Sequence, residues 1–237
     1  MNTPDRKVAI VTGSSRGIGA ALARAYRREG WAVVGSSRSS TPSDDVDMLI
    51  VDGDIAQPET TERIVGEALE RFGRIDTLIN NAGVYISKPF TEYTAADYSS
   101  VVGVNLTGFF TLTQLAIGEM LKAGGGHVVN ITTTLVDYAD SAAPAVLAAL
   151  TKGGLAAATR SLAIEYALRG IRVNAVSPGV IQTSTHDPED YVALGARQPI
   201  GRVGQVDDIV AGVLFLESST FITGETIHID GGRIAGH

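Results

Sequence analysis

The sequence predicts an α/β fold in which a doubly wound parallel β-sheet lies between two layers of helices, a three-layer α/β/α architecture. Short apolar runs alternate with helical periods along the whole chain, and the apolar runs contain few polar positions. Strands that are apolar throughout are typical of a parallel sheet whose two faces are both covered. Because crossover connections between parallel strands are right-handed, we expect a ligand to bind at the carboxyl ends of the strands.

Strands and helices are predicted in strict alternation over most of the chain. The predicted strands span residues 7–12, 31–36, 48–51, 75–80, 127–132, 171–176 and 225–230. The predicted helices span residues 17–29, 58–72, 94–121, 141–168 and 205–216. The most polar stretch, residues 36–47, is only as long as a loop, and no long linker divides the sequence. We therefore expect one domain over residues 1–237.

Composition excludes several classes of partner. The net charge of −7 argues against binding to nucleic acid or to an anionic membrane surface. The absence of cysteine excludes disulfides, thiolate nucleophiles and cysteine metal sites, and it fits a reducing compartment. The N-terminus is polar and no run of 18 or more apolar residues occurs, so neither a signal peptide nor a membrane span is expected. These features predict a cytoplasmic protein.

Three glycines, Gly13, Gly17 and Gly19, lie between the first predicted strand and the first predicted helix. Glycines at such a junction permit a tight turn and let backbone N–H groups approach a pyrophosphate at the helix N-terminus. Their spacing differs from the G-x-G-x-x-G pattern of many dinucleotide-binding proteins. The alternative interpretation is a glycine-rich turn that binds nothing.

Further motifs follow at later strand ends: NNAG over residues 80–83, Asn105, and Lys152 within an alanine-rich predicted helix. Together with TGSSRGIG over residues 12–19, they resemble the short-chain dehydrogenase/reductase family along the whole chain. The resemblance implies a Rossmann fold, a nicotinamide cofactor and a small-molecule substrate.

The resemblance also implies where the cofactor lies. Asp54 and Ile55 correspond to the pair that contacts adenine, residues 81–83 to the segment that lines the ribose, and residues 177–183 to the loop that holds the nicotinamide carboxamide and the diphosphate. The complete implied set is Gly13, Ser15, Arg16, Gly17, Ile18, Gly19, Ser37, Arg38, Asp54, Ile55, Asn81, Ala82, Gly83, Lys152, Pro178, Gly179, Ile181 and Thr183.

The end of the second strand favours NADP(H) over NAD(H). An NAD site usually has Asp or Glu there, which binds the ribose 2′-hydroxyl. In this chain Ser37 stands at that position, Arg38 follows it, and Arg16 lies in the glycine-rich loop. Guanidinium groups match the geometry of a 2′-phosphate. The alternative is that both arginines are surface charges.

Three residues correspond to catalytic positions of the family. Thr133 stands where the family has a serine that hydrogen-bonds the substrate oxygen, and its hydroxyl can also donate and accept. Asn105 corresponds to the helical asparagine of the family's proton relay, and asparagine is otherwise a poor residue inside a helix. Lys152 corresponds to the lysine that binds the nicotinamide ribose. Without the resemblance, Thr133 is equally typical of a strand end. For Lys152 the alternative is a solvated helix lysine, which the apolar setting of residues 147–158 disfavours.

Ala148 departs from the family pattern. In the family, a tyrosine one helical turn before the lysine protonates the substrate oxygen, and the four-residue step back from Lys152 reaches Ala148. Residues four apart share a helix face, so position 148 is expected to face the crevice beside Lys152. Alanine has no proton to donate, and a positioned general acid typically contributes about 10² to 10⁴ in rate.

Replacement donors are few in the sequence. Tyr138 and Asp137 follow the fifth predicted strand, and His186 follows the cofactor loop with a side chain suited to acid/base chemistry. For each of them a pocket-wall or surface role is the alternative. A water molecule in an enlarged pocket is the remaining way to relay the proton.

Three functions remain open at this stage. The first is an NADP(H)-dependent oxidoreductase of non-standard mechanism that acts on a small carbonyl, imine or alcohol. The second is a catalytically silent NADP-binding sensor or scaffold, and the third is a non-redox lyase or dehydratase on the same fold. No metal site is predicted. Family members use the helices matching residues 94–121 and 141–168 as a subunit interface, so we expect a homo-oligomer, a tetramer or dimer.

Overall fold

In a computed structural model, seven parallel strands form one sheet, and residues 6–39, 43–183 and 190–236 are described. The strands are β1 (Val8–Thr12), β2 (Ala32–Ser37), β3 (Met48–Asp52), β4 (Thr77–Asn80), β5 (Gly126–Ile131), β6 (Ile171–Pro178) and β7 (Thr226–Ile229). Their order across the sheet is β3-β2-β1-β4-β5-β6-β7. The strand order reverses between β1 and β4, which is where doubly wound sheets open a ligand crevice. The predicted fold class is confirmed.

Helices cover both faces of the sheet. They are α1 (Gly17–Arg28), α2 (Pro58–Phe72), α3 (Ala95–Val102), α4 (Phe109–Ala123), α5 (Val146–Tyr166), α6 (Asp190–Ala196) and α7 (Val206–Ser218). Helices α1 and α7 pack together on one face, while α2, α4 and α5 contribute to the core on the other. Strand β1 shows why the sequence has continuous apolar runs. Val8 and Ile10 belong to one core and Ala9 and Val11 to the other, so every position is buried.

The predicted helix 94–121 is continuous over Ala95–Ala123 but contains a π-helical turn at Gly103–Gly108, between α3 and α4. Thr94 begins it with a capping box, in which its hydroxyl accepts from the Asp97 N–H. Among the described residues, this helix alone is long and apolar enough to cross a membrane by length and composition. Leu112 and Met120 in its second half are fully buried in the sheet core, as expected of a core helix of a globular protein.

The helix predicted from residue 141 begins five residues later, at Val146. Inside a helix, Pro144 would lack an N–H and its ring would clash with the carbonyl of Asp140. Instead the Pro144 carbonyl accepts from the Lys88 N–H and the Ser87 hydroxyl, both at 3.0 Å. Residues 138–145 therefore form a loop beside the crevice. Helix α6 was absent from the sequence prediction.

A chain of buried amides links β4 and β5 to the helices above them. The Asn80 side-chain amide donates to the Thr113 hydroxyl and to the Asn130 Oδ1, each at 2.9 Å. Asn130 in turn donates to the Thr159 hydroxyl at 2.8 Å. Asn80 and Asn130 face each other in the ladder between the two strands. The chain thus ties α4, the sheet and α5 together.

A second buried polar network lies at the amino-terminal edge of the sheet. One carboxylate oxygen of Glu217 accepts from the Tyr26 hydroxyl at 2.8 Å and the Thr77 hydroxyl at 3.0 Å, and it lies 3.1 Å from His127 Nδ1. The other ring nitrogen of His127 accepts from the Asn174 amide at 3.1 Å. His127 is therefore neutral, with its proton on Nδ1.

Candidate functional site

The glycine-rich loop joins β1 to α1 at the carboxyl edge of the sheet, as predicted. Gly13 and Gly17 have φ of +68° and +55°, which side-chain-bearing residues rarely adopt. A Cβ on Gly19 would lie 2.2 Å from the Gly13 carbonyl oxygen, so no other residue fits this close approach. Ser15 and Arg16 are exposed at the start of α1, with Ile18 half-buried behind them. Backbone N–H groups at a helix N-terminus are favourably placed to bind an anion.

Thr12 and Asn81 fix the loop to β4. The Thr12 hydroxyl donates to the Ile79 carbonyl and accepts from the N–H groups of Asn81 and Ala82, at 3.0 and 2.9 Å. The Asn81 side chain donates back to the Thr12 carbonyl at 2.8 Å. The segment NNAG therefore shapes the loop directly, and Thr12 was not among the predicted site residues although the motif contains it.

The two arginines predicted to favour NADP(H), Arg16 and Arg38, lie after β1 and β2 at the carboxyl edge of the sheet. Arg16 and Arg38 are both exposed, and neither has an ion pair with any residue of the described ranges. Ser37 ends β2 and donates its hydroxyl to the Ser39 carbonyl at 3.0 Å. Elsewhere arginines of this chain do pair, as Arg27 does with Asp45 at 2.8 Å. Within the described residues, neither the Arg16 nor the Arg38 guanidinium is thus neutralised by an ion pair.

Asp54 and Ile55 follow β3, the strand that pairs with β2. The Asp54 carboxylate is exposed and accepts from the Ala56 N–H at 3.0 Å, which makes a local turn. The Ile55 side chain is buried, at 8% exposure, and it packs against Gly108 of the π-helical turn. The structure places both at the predicted edge of the sheet.

The segment after β6 is held from two sides. Pro178 ends the strand, and a Cβ on Gly179 would lie 2.8 Å from the Asp230 backbone, so only glycine fits. Ile181 is buried in the core, and Thr183 is fixed by Tyr191, whose hydroxyl hydrogen-bonds both its N–H and its carbonyl. Tyr191 belongs to the unpredicted α6, and no motif in the sequence marks it.

Lys152 is buried at the centre of the crevice. Its ammonium donates to the Ile131 carbonyl at the end of β5, at 2.7 Å. Burial lowers the pKa of Lys152 to about 8, because desolvation disfavours the charged form. A Cβ on Gly83 would lie 3.3 Å from the ammonium and 3.5 Å from the Asn105 side-chain oxygen. Glycine at position 83 therefore keeps a gap open beside both groups.

Asn105 lies in the π-helical turn, a distortion that is frequent at functional sites. Its side-chain oxygen accepts from the Val84 N–H at 2.8 Å, and its amide donates to the Val84 carbonyl at 3.0 Å. The amide also donates to the Thr151 hydroxyl at 3.1 Å. Asn105 thereby links Val84, in the segment that follows β4, to α5, the helix that carries Lys152.

Position 148 is buried at 4% exposure, one turn before Lys152 on α5. Thr133 lies two residues after the end of β5 and caps a 3₁₀ turn. Its oxygen accepts a long 3.4 Å hydrogen bond from the Leu135 N–H, which leaves its hydroxyl proton available for donation. Lys152, Asn105 and Gly83 form one cluster, and Thr133 lies two residues after the Ile131 carbonyl that Lys152 contacts.

The candidate replacement donors differ in position. Asp137 is half-exposed and lies 3.1 Å from His228, and Tyr138 packs its ring 5.3 Å from the Arg233 guanidinium. Both lie on the segment after β5, and Asp137 contacts β7 through His228. His186 lies outside the described residues. Within those residues, no group of three or more His, Asp or Glu is placed to hold a metal.

Comparisons with known proteins agree with this geometry. A family profile described as enoyl-(acyl carrier protein) reductase matches residues 13–233. The L-fucose dehydrogenase of Mus musculus is 35% identical over 247 residues, covering 98% of this chain and 89% of that protein. The 3-oxoacyl-[acyl-carrier-protein] reductase FabG of Vibrio cholerae is 34% identical over 237 residues, covering 95% and 96%.

Among solved structures, ElxO with NADP bound superposes with a TM-score of 0.91. The two sequences are 28% identical, and the match covers 98% of this chain and 100% of that chain.

Proposed function

Because the chain belongs to the short-chain dehydrogenase/reductase family, we propose that it is an NADP(H)-dependent oxidoreductase that acts on a small carbonyl, imine or alcohol without a tyrosine as proton donor. The observation that carries the proposal is the buried Lys152, held beside Asn105 and the gap at Gly83 on the carboxyl edge of the sheet. A buried lysine with a pKa near neutrality is typical of a site that handles protons.

The loop and the two arginines support NADP(H) as the cofactor. Gly13, Gly17 and Gly19 leave backbone exposed at a helix N-terminus, where a pyrophosphate fits without a clashing side chain. Arg16 and Arg38 offer guanidiniums to a 2′-phosphate. The bound NADP in the similar ElxO structure supports the same choice. When bound, the nicotinamide supplies or accepts the hydride.

Lys152 is proposed to supply the proton that a tyrosine supplies elsewhere in the family. Lys152 lies on the same helix face as Ala148, and in this proposal a water molecule beside the small Ala148 side chain links the ammonium to the substrate oxygen. The ammonium passes a proton through this water to the oxygen as charge develops there, while the Thr133 hydroxyl donates a hydrogen bond to the same oxygen.

Cofactor preference tests the first half of the proposal. Titration followed by nucleotide fluorescence is expected to show NADPH bound at least about tenfold more tightly than NADH, the worth of one phosphate–guanidinium interaction. Arg38→Ala is expected to weaken NADPH and leave NADH unchanged. Arg28→Ala, an exposed arginine at the far end of α1, is the matched control. Equal affinities for the two cofactors would overturn the assignment.

A pH profile of turnover tests the second half of the proposal, that Lys152 supplies the proton. In the reducing direction only protonated Lys152 is competent, so turnover is expected to fall as the pH rises above about 8. NADPH oxidation across a panel of small ketones, aldehydes and imines measures it. The second candidate function, a catalytically silent NADP-binding protein, is favoured by the absence of a protic group at Ala148. NADPH binding without oxidation across the panel would establish that alternative.

We also propose that the chain forms a homo-oligomer through α4 and α5. Phe110 on α4 and Leu150 and Ile164 on α5 are large apolar side chains with exposures of 62%, 56% and 79%. Large apolar side chains that are exposed in the single chain are typical of subunit interfaces. Leu150→Lys is expected to reduce the mass measured by light scattering, whereas an unchanged mass would exclude this face.

A further inference from the structure

Helix α5 carries two buried threonines, Thr151 and Thr159, whose hydroxyls make the same pair of hydrogen bonds. Each hydroxyl donates to the backbone carbonyl four residues earlier, at 2.7 Å for Thr151 and 2.8 Å for Thr159. Each also accepts from an asparagine side-chain amide, which is Asn105 at 3.1 Å for Thr151 and Asn130 at 2.8 Å for Thr159. Both threonines are fully buried. The two differ in what their asparagine holds.

The bond from Thr151 to the Leu147 carbonyl fixes what its hydroxyl can offer to Asn105. A hydroxyl has one proton and two lone pairs, and the proton of Thr151 is used on that carbonyl. Towards Asn105 the oxygen therefore presents only lone pairs, so it accepts from the amide N–H and cannot donate to the side-chain Oδ1. Thr151 thus determines which end of the Asn105 amide faces α5.

The backbone of Val84 requires the same orientation of Asn105. The Val84 N–H donates to Oδ1 at 2.8 Å, and the Val84 carbonyl accepts from the amide at 3.0 Å. Turning the amide over would set donor against donor and acceptor against acceptor at Val84, and Oδ1 against the lone pairs of Thr151. Asn105 is only 1% exposed, so bulk water does not compensate for a lost partner.

Val84 is the residue after Gly83, the glycine that keeps a gap open beside Lys152. A Cβ on Gly83 would lie 3.3 Å from the Lys152 ammonium, so a small movement of this backbone narrows or widens the gap. The contacts therefore run from Thr151 through Asn105 to the backbone next to Lys152.

The corresponding contacts of Thr159 remain inside the core. Its partner Asn130 accepts at Oδ1 from the Asn80 amide at 2.9 Å, between β4 and β5. Asn130 is fully buried and Asn80 is 6% exposed. Thr159 therefore has the same chemistry and burial as Thr151 but holds no part of the Lys152 cluster.

We propose that Thr151 is a positioning residue of the candidate site. Through Asn105 it holds the backbone of Val84, and with it the gap at Gly83, at a fixed place beside Lys152. Thr151 itself touches neither the substrate nor the cofactor. The effect on turnover rests on the proposed oxidoreductase function, whereas the effects on the backbone and on cofactor binding do not require catalysis.

Hydrogen exchange of the full chain without cofactor tests the backbone effect. Thr151→Val removes the hydroxyl and keeps the branched shape, and Thr159→Val is the matched control. Exchange at the Val84 N–H, followed by mass spectrometry of a peptide covering residues 82–88, is expected to be about tenfold or more faster in Thr151→Val. It is expected to change less than about twofold in Thr159→Val. Unchanged exchange in Thr151→Val, or an equal increase in both variants, overturns the proposal.

Two further variants separate the hydroxyl from the packing of Thr151. Thr151→Ser keeps the hydroxyl and loses only a methyl, so its exchange is expected to stay within about twofold of the unchanged chain. Thr151→Ala loses the hydroxyl and adds no methyl opposite the Asn105 amide, so it is expected to repeat the increase of Thr151→Val. Faster exchange in Thr151→Ser to the same extent as in Thr151→Ala would assign the effect to packing and overturn the proposal.

Cofactor affinity tests the consequence for the site. Since residues 81–83 are predicted to line the cofactor ribose, titration followed by nucleotide fluorescence is expected to show NADPH bound about tenfold more weakly by Thr151→Val. Thr159→Val is expected to bind NADPH within about twofold of the unchanged chain. Equal affinities in the two variants would overturn the positioning role.

Turnover links the positioning role to the proposed function. With saturating NADPH, oxidation of the cofactor by a ketone that the chain reduces is expected to be about tenfold slower in Thr151→Val and nearly unchanged in Thr159→Val. Equal turnover in the two variants would overturn the role of Thr151 beside Lys152. A chain that binds NADPH without oxidising it contradicts the proposed function and not the positioning role, which hydrogen exchange and cofactor affinity decide.

Discussion

The polar groups at the two edges of the sheet differ in how completely they are paired. At the amino-terminal edge, Glu217 accepts from three groups and His127 uses both ring nitrogens, so the polar atoms of this cluster satisfy one another. At the carboxyl edge, Arg16 and Arg38 lack a carboxylate among the described residues, and Arg233 keeps an unpaired donor. The same fold therefore contains a closed network and an open one.

The difference separates polar groups that stabilise the fold from polar groups that await a ligand. The hydrogen bonds of a closed network stabilise only the folded state, so a substitution that breaks one of them lowers the free energy of unfolding. An open network has unused donors and acceptors, so a change in it alters binding or turnover. Substitutions at the amino-terminal edge are therefore expected to act mainly on the free energy of unfolding, and substitutions at the carboxyl edge mainly on binding or turnover.

The largest effect is expected from Glu217→Ala. It leaves the Tyr26 and Thr77 hydroxyls and His127 Nδ1–H buried without their acceptor, and we expect it to lower the free energy of unfolding by about 3 kcal/mol. Urea denaturation measures it. Glu119→Ala removes an exposed carboxylate paired with Lys122 and is expected to cost less than about 0.5 kcal/mol. Similar losses in both variants would contradict the comparison.

The second effect concerns the open edge. Lys152→Met is expected to lower turnover with NADPH by about 100-fold, since a positioned proton donor contributes about 10² to 10⁴. It is expected to leave the free energy of unfolding unchanged or raised, because the desolvated ammonium is removed. Thr133→Ala, which removes only one hydrogen bond to the substrate, is expected to cost less turnover. A Lys152→Met protein with unchanged turnover and cofactor affinity would disprove the assigned site.

The third prediction restores the residue that the family has at position 148. Ala148→Tyr places a phenol one turn from Lys152, whose charge favours the phenolate. We expect reduction of simple ketones to increase about tenfold. Position 148 is buried, so overpacking costs about 1 to 3 kcal/mol of stability. A folded variant that binds NADPH and gains nothing would point to another donor, with His186→Ala the next variant.

The smallest effect is a pH dependence of stability at the closed edge. Burial lowers the pKa of His127 below its usual value, although Glu217 beside it opposes the shift and Arg172 adds to it. A folded-state pKa below the unfolded one means that stability is complete above the unfolded pKa of about 6.5 and falls as the pH drops through the folded pKa. Unfolding in urea at pH 7.5 and 5.5 measures it. His127→Asn, whose amide can replace Nδ1–H, is expected to lose less between these pH values.

Glu217 makes a second contribution to the pH dependence of stability, at a lower pH than His127. Burial alone would raise the pKa of its carboxyl, but the hydrogen bonds from His127, Tyr26 and Thr77 outweigh burial and lower it. The stability that ionised Glu217 contributes is therefore fully present at pH values above the usual pKa of a glutamate. It is lost as the pH falls through the lowered pKa of the folded state. The two titrations separate because the histidine loses its contribution first.

The sequence predicted the parts of the fold that local pattern specifies. Continuous apolar runs located all seven strands, since both faces of this sheet are covered, and the glycines of the loop after β1 located the cofactor edge. The sequence prediction missed that Pro144 delays the start of α5, because the apolar pattern of the predicted helix continues through this proline. Helix α6 and its Tyr191 carry no period or motif strong enough to find them.

The candidate site, like the fold, has features that the sequence predicted and features that it did not. Lys152, Asn105 and Gly83 were predicted from motifs, and the structure brings them together. Their hydrogen bonds were not predictable, because the π-helical turn that aims Asn105 leaves the helical pattern unchanged. The meeting of Asp140, Arg197 and Arg233 follows from contacts between segments far apart in the chain, and charged residues so widely spaced give no signal in the sequence.

The buried amides of Asn80 and Asn130 have a consequence for how the chain reaches this sheet. Parallel strands joined by a long helix pair late in folding, and aliphatic strands can pair in more than one register. A slip of β5 by one residue would turn Asn130 to the other face, among Val11, Ile79 and Val176. Its amide would then lose Asn80 and Thr159 inside an apolar layer, a penalty that a slipped strand of valines alone would escape. The two asparagines thus favour the native register of β4 and β5 over a register shifted by one residue.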